Sequence, residues 1–213
     1  MKLILSLIIC LLFVNIAQAD DTKYFEAMKK QIYNMDSLNT VEDFVDAANA
    51  FERIGNAEQN KWLPFYYASL CNTLASFVDT TAILKDAYLD QALKLLAIAD
   101  SLQPDESEIY ALKGMIAQGR LQIDPMNRYM KYGAEMSSNF QKAQQLNPKN
   151  PRPDYLIAAT TFYTPEQFGG GPKAAKPMLE AAVKKFNEFI PEDELMPIWG
   201  KDHAEILLKQ IPE

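Results

Sequence analysis

Cysteine, histidine and glycine are scarce in this chain. Its 213 residues include 2 cysteines, 1 histidine and 8 glycines. A metal site needs several converging ligands, and the single histidine, His203, has no such companions in sequence, so we interpret it as a surface residue. A Ser-His-Asp triad has no supporting motif. We therefore expect no metal, no cofactor and no enzymatic activity.

Two further patterns are missing. No run of alternating apolar and polar residues is bounded by turn residues, as β-strands would require. No stripe of basic residues could support nucleic acid. Residues 20–109 carry 16 acidic and 7 basic residues, whereas 110–213 carry 12 and 13. An acidic first half disfavours anionic partners and leaves basic ones open, although the simpler interpretation is that this charge provides solubility.

The first 19 residues have the pattern of a cleaved secretion signal. Lys2 supplies the positive charge, residues 3–14 are apolar, and Ala17 and Ala19 are the small residues before the cleavage site. The apolar run is shorter than the roughly 20 residues of a membrane helix. We therefore expect an exported protein, periplasmic or secreted, with no membrane span.

The two cysteines fall on either side of the predicted cleavage site. Cys10 raises the alternative of a lipoprotein, which is less favoured because Ile9 is larger than the residue expected before a lipidated cysteine. Cys71 then has no partner for an internal disulfide. We interpret Cys71 as a packed core residue rather than a reactive thiol. The mature chain, 20–213, is long enough to form a single domain held by burial alone.

A pattern recurs about every 44 residues. In each copy an aromatic residue is followed four positions later by a small one, at Tyr67 and Cys71, Tyr110 and Gly114, and Tyr155 and Ala159. Two copies end on the phrase Ala-x-x-Leu-x-Pro, at residues 99–104 and 143–148. A fixed period of this length predicts stacked helical hairpins, because one hairpin cannot bury its apolar face alone.

These positions resemble the tetratricopeptide repeat family, whose hairpins favour an aromatic and a small residue on the first helix and alanines and a closing proline on the second. The strings FERIGNAEQNKWLPFYY (51–67), NPRPDYL (150–156) and FGGGPKAA (168–175) are also similar to exported tetratricopeptide-like proteins of Bacteroidetes-type bacteria. That group has no assigned biochemical function. HEAT-type repeats, which have a similar period, are the architectural alternative.

The resemblance implies an all-α fold, a right-handed superhelical stack of antiparallel helical hairpins. We place the hairpins at about 22–54, 61–104, 105–148 and 154–190, and a C-terminal capping helix at 195–211. Insertions between the two helices of each hairpin are expected along one edge of the stack.

Local signals mark several helix ends. Thr40 and Asp43 form a predicted capping box, and Pro64 stands where a first helical turn tolerates proline. Gly169-Gly170-Gly171 lacks the lysine and hydroxyl residue of a phosphate loop and is followed by Pro172. We interpret these glycines as a turn leading into a helix.

The function that this architecture favours is non-catalytic. We predict a protein-interaction module or scaffold that binds a peptide or partner protein in its concave groove. The candidate contacts lie on the first helices of the hairpins: Trp62, Tyr66, Lys113, Arg120 and Asp154. Packing within the core is the competing interpretation of Trp62 and Tyr66. The alternative function is a solenoid that binds a small molecule or lipid, as an accessory component of a transport system.

Overall fold

The computed structural model describes residues 22–212, and in this part of the chain every regular element is helical. The first helix, α1, spans 22–34 and ends in a 3-10 turn at Met35–Ser37. The α-helices that follow are α2 (Val41–Glu58), α3 (Leu63–Val78), α4 (Ala82–Leu102), α5 (Ser107–Ile123), α6 (Pro125–Arg128), α7 (Ala134–Leu146), α8 (Arg152–Tyr163), α9 (Pro172–Glu188) and α10 (Lys201–Lys209). The predicted all-α class is confirmed. The predicted secretion signal lies outside the described residues.

Several helix starts follow from the local signals. Asp43 N donates to Thr40 Oγ1 at 3.1 Å and Thr40 N donates to Asp43 Oδ2 at 3.0 Å, which confirms the capping box of α2. Pro64 lies in the first turn of α3, and Pro172 opens α9 directly after Gly171. The glycine run is therefore a turn leading into a helix, as predicted.

The second helix of the predicted hairpin at about 105–148 is not continuous. After the single turn of α6, a π-helical segment occupies Tyr129–Gly133 before α7 begins. Such a segment widens the helix by one residue in a turn and is often found near functional sites. Large side chains on α6 and on this segment are exposed to solvent, as described below.

The predicted terminal helix at 195–211 is wrong in its first six residues, because α10 begins only at Lys201. Residues 189–200 form an irregular segment, which we call the C-terminal strap. Pro191 and Pro197 lack the N–H groups that a helix needs, and Gly200 has a left-handed φ of 106°. These three residues prevent a helix from forming before Lys201. The strap therefore crosses α3, α5 and α8 as an irregular segment.

Helices that follow one another in sequence pack against one another. α2 packs on α3, α3 on α4, α4 on α5, α5 on α7, and α8 on α9, while α5 also touches both α3 and α8. One core cluster extends from Tyr24 to Ile211 and includes Cys71, which is buried as predicted. The right-handed superhelical sense and the tetratricopeptide assignment stay predictions.

The small residue of the repeat is required by close contact between helices. A Cβ added to Gly114 of α5 would lie 2.2 Å from a ring carbon of Phe140, which projects from α7 and is almost fully buried. Gly114 and Phe140 are therefore matched in size across the hairpin. This contact is the physical reason for the aromatic-then-small pattern in this copy.

Gly114→Ala is expected to destabilise the protein, with Gly133→Ala as its matched control. A Cβ at Gly133 would lie no closer than 3.5 Å to Tyr129. Both changes gain about 1 kcal/mol of helix propensity, so the difference between their unfolding free energies isolates the clash. We expect that difference to be about 1–3 kcal/mol in urea unfolding. Equal stabilities would contradict the packing argument.

Candidate functional site

A buried ion pair lies where the hairpins meet the C-terminal strap. Arg152, the first residue of α8, and Glu108, in the first turn of α5, are both almost inaccessible to solvent. Arg152 Nη1 donates to Glu108 Oε1 at 2.8 Å, and Arg152 Nη2 donates to the carbonyl oxygen of Pro197 in the strap. A charge this deeply buried is tolerated only when it is paired and hydrogen-bonded.

Aromatic residues extend this pair into a network. The Tyr66 hydroxyl lies 3.5 Å from Glu108 Oε2 and accepts a hydrogen bond of 3.0 Å from Trp199 Nε1. The guanidinium of Arg152 lies 5.4 Å from the ring centroid of Phe189 and 5.5 Å from that of Trp199. Trp199 therefore links the strap to α3.

Polar contacts tie a fourth helix to the same place. Asn150 Nδ2 donates to Ser107 Oγ at 3.0 Å, and Ser107 Oγ donates to the carbonyl oxygen of Ala143 in α7 at 2.8 Å. The Tyr67 hydroxyl donates to the carbonyl oxygen of Leu195 at 2.8 Å. The strap is therefore held to α3 and α8 at three points, Leu195, Pro197 and Trp199.

Burial is the main cause of the pKa shifts in this network. It raises the pKa of the Glu108 carboxyl to about 7, and the positive charge of Arg152 opposes that rise. Burial also raises the pKa of the Tyr66 hydroxyl well above its ordinary value. Tyr66 therefore stays a neutral hydrogen-bonding group at physiological pH, and the titrating member is Glu108.

A cleft of about 850 Å³ opens beside the pair, bounded by the start of α5, the turn after α7 and the end of α9 with the strap. Glu108 lies at its lining, together with apolar side chains from Leu146, Phe189, Ile190 and Met196. Its polar lining is mainly acidic, with five carboxylates against two lysines. The cleft is therefore suited to a cationic rather than an anionic occupant.

A second candidate surface, which we call the Met126 surface, consists of Met126, Tyr129 and Met130. These side chains are 91%, 65% and 84% exposed. They project from α6 and the π-helical segment, at the edge where the two helices of a hairpin join. Three large side chains exposed together on so short a segment indicate a binding surface, since isolated exposed apolar residues need no such explanation.

Ion pairs fix the Met126 surface against α4. Both guanidinium nitrogens Nη1 and Nη2 of Arg128 contact Asp86, at 2.8 and 2.7 Å, and Arg120 Nη1 lies 3.4 Å from the same carboxylate. Arg120, Arg128 and Lys131 all lie within 6 Å of the Tyr132 ring. The surface therefore has exposed thioethers and a phenol beside a group of cations.

His203 is exposed, as predicted, but it is not isolated. Its Nδ1 lies 2.7 Å from the Tyr155 hydroxyl, and partial burial lowers the pKa of its imidazole. Within residues 22–212, no group of three or more His, Cys, Asp or Glu side chains is arranged to hold a metal ion.

The five contacts predicted from sequence do not form one site in the described structure. Trp62 packs edge-on against Tyr66 at 5.7 Å between ring centroids, and Tyr66 is fully buried, so a partner on the surface cannot touch it. Core packing, the competing interpretation of Tyr66, accounts for this burial. The other three residues bridge helices: Lys113 pairs with Asp100, Arg120 with Asp86 and Asp90, and Asp154 with Lys185.

Sequence reasoning missed Glu108 and Arg152, although a signal was present. Glu108 lies four residues after Pro104, and Arg152 lies four residues after Pro148. Opposite charges at the same offset in successive repeats indicate a contact between neighbouring hairpins. The spacing alone did not show that both side chains point inwards.

Comparison with solved structures identifies a relative. The HusA haemophore from Porphyromonas gingivalis matches with a TM-score of 0.77 and 34% sequence identity, over 87% of this chain and 90% of that one. This chain belongs to the HusA family. No protein-family model matches the sequence, and no curated protein matches it. In the HusA-family chain no helix of residues 22–212 combines the length and apolarity that crossing a bilayer requires.

Removing one charge of the buried pair is expected to be costly in this HusA-family protein. Arg152→Met leaves Glu108 without its cation and should lower the unfolding free energy at pH 8 by about 3–5 kcal/mol. The double variant Glu108→Leu/Arg152→Met removes both charges and should recover part of that loss. A double-mutant cycle measured by urea unfolding tests this, and strictly additive effects would contradict a direct interaction.

Glu108 should also make stability depend on pH. Its pKa rises from an ordinary 4.5 to about 7 on folding, so the folded chain binds this proton more tightly than the unfolded chain. Its stabilising contribution is complete below about pH 4.5 and is lost as pH rises through 7, at a rate on the order of 1 kcal/mol per pH unit. Glu108→Gln should flatten this dependence in unfolding measured from pH 4.5 to 8. Identical slopes in both proteins would show that another group is responsible.

Proposed function

We propose that this chain is an exported, non-catalytic binding protein that carries haem or a closely similar tetrapyrrole. The observation that carries the proposal is its 34% identity to a haemophore over most of both chains. Export rests on the secretion signal predicted for residues 1–19. Among the two functions considered from sequence, this favours the small-molecule-binding solenoid over the peptide-binding scaffold.

The Met126 surface is the part of the molecule whose chemistry suits haem best. Thioether sulfur and phenolate oxygen both serve as axial ligands of haem iron in proteins, and this surface exposes two methionines and one tyrosine. Met126 and Met130 stand four residues apart and Tyr129 lies between them, so their side chains are available to a single planar ligand. Flexible methionines also adapt readily to the shape of an apolar ring.

The charges beside the Met126 surface fit the rest of the ligand. Haem carries two propionate groups, which are anionic at neutral pH. Lys131 is exposed and forms no ion pair within residues 22–212. Arg120 and Arg128 lie around the same Tyr132 ring but are already paired with Asp86 and Asp90, so Lys131 is the cation available to a propionate. Anionic groups on the ligand edge are therefore attracted to this end of the surface.

The acidic cleft suits haem less well. Its three carboxylates without ion pairs in the described residues, Glu106, Glu188 and Glu192, would repel the propionates. Of its two lysines, Lys185 is already paired with Asp154, so the cleft does not balance this charge. Among its lining side chains only Met196 is of a type that ligates haem iron. We therefore assign haem to the Met126 surface and not to the cleft.

The protein-interaction function predicted from sequence remains a second candidate on a different surface. Of its five predicted contacts, Trp62, Lys113, Arg120 and Asp154 are partly exposed, whereas Tyr66 is not. A peptide in the concave groove would have to compete with the ion pairs that hold Lys113, Arg120 and Asp154.

Haem binding is tested by titrating the mature chain with haemin and following the Soret absorbance. The triple variant Met126→Ala/Tyr129→Ala/Met130→Ala should weaken binding at least about tenfold, which corresponds to 1.4 kcal/mol. Tyr129→Phe, Met126→Leu and Met130→Leu then identify the iron ligand, because loss of that ligand changes the spectrum as well as the affinity.

The matched control replaces three exposed isoleucines elsewhere, Ile190→Ala/Ile198→Ala/Ile206→Ala, and should leave haemin affinity almost unchanged. His203→Ala tests the rival ligand. If His203→Ala abolishes binding while the Met126 triple variant retains it, the proposed location is wrong. If the unaltered protein does not bind haemin, the proposed function is wrong.

A further inference from the structure

The charged side chains of the acidic cleft have no role in the proposed haem binding. Three of its carboxylates, Glu106, Glu188 and Glu192, form no ion pair within residues 22–212. Of its cations, Lys185 is already paired with Asp154, which leaves only Lys149. Charges on this scale attract a partner of opposite sign, and they do so most strongly where a cleft limits the access of solvent.

Two of these carboxylates, Glu106 and Glu192, line the same cleft. Burial raises the pKa of Glu106, the hydrogen bond that its carboxylate accepts from Glu108 N opposes that rise, and the negative charge of Glu192 adds to it. The two side chains come from different elements, the turn before α5 and the C-terminal strap, so the fold itself brings the like charges together. A cation placed between them would relieve this repulsion.

The cleft also has an apolar side that is open to solvent. Ile190 in the strap is 84% exposed, and Phe189 and Met196 line the cleft beside it. A small inorganic cation would gain nothing from these side chains. An occupant that carries both positive charge and apolar groups would satisfy the whole lining.

We propose that this cleft is a docking site for a short lysine- or arginine-bearing segment of a partner protein. The charged ends of its basic side chains would meet Glu106, Glu188 and Glu192, and an intervening apolar side chain would cover Ile190. The volume of about 850 Å³ lies within the range of pockets that hold compact ligands, roughly 300–1,000 Å³. The proposal does not depend on haem binding, because the two surfaces share no residue.

The experiment measures fluorescence anisotropy of a labelled pentapeptide of alternating lysine and leucine, mixed with the mature chain at low salt. The same peptide with glutamate in place of lysine should not bind. Glu188→Gln/Glu192→Gln should weaken binding at least about tenfold. Both side chains are exposed, so the variant is expected to fold.

The matched control is Glu135→Gln/Glu180→Gln, which removes the same charge from exposed positions of α7 and α9 outside the cleft. This control should change the affinity less than about twofold, because unspecific attraction between distant exposed charges is screened by salt. If both double variants lose the same affinity for the peptide, the docking site is wrong. The peptide would then be attracted only by the net charge of the protein.

Two further results would also overturn the proposal: no binding of the lysine peptide, or full displacement of that peptide by an equimolar amount of spermidine. Full displacement would mean that the cleft recognises a free polycation and not a peptide. Haemin titration of Glu188→Gln/Glu192→Gln separates the two proposals, since haem affinity should stay at the level of the unaltered protein. Failure of peptide binding with haem binding intact overturns only this inference.

Discussion

The ion pair between Arg152 and Glu108 constrains the arrangement of most of the molecule. Truncating either side chain leaves the other without its hydrogen-bonding partner in the interior, which costs about 3–5 kcal/mol. The pair is satisfied only when α5 and α8 lie side by side and the strap brings Pro197 to the guanidinium. Its geometry therefore requires neighbouring hairpins and the C-terminal segment to be in place together.

This constraint also shapes the surfaces available for binding. Because the strap is held to α3 and α8 through Leu195 and Pro197, its acidic and apolar residues face the start of α5 and enclose the cleft. The cleft lies beside the start of α5 and the end of α7. The Met126 surface lies at the other end of the same two helices, where the segment between them joins α5 to α7. One surface is acidic and the other combines thioethers with cations, so each attracts a different class of ligand.

Much of the fold could be predicted because its signals are local. The capping box at Thr40 and the start of α9 after Gly171 depend on residues adjacent in sequence, and both predictions are confirmed. The last helix was placed too early because the apolar pattern was given more weight than Pro191, Pro197 and Gly200. The exposure of the candidate contacts could not be predicted in this way, because a side chain's neighbours on other helices decide whether it is buried, as for Tyr66.

The amino-acid sequence by itself determined the helical class, the period of about 44 residues and the small residues that close helix packing demands, because these depend on spacing and side-chain size. Tertiary structure alone decided that Glu108 and Arg152 pair inside the protein and that Glu106 and Glu192 line one cleft. It also decided that Met126, Tyr129 and Met130 remain exposed. The pairing of a charge and the exposure of a side chain depend on which residues of other helices lie next to it. The order of residues in the sequence does not give those distances.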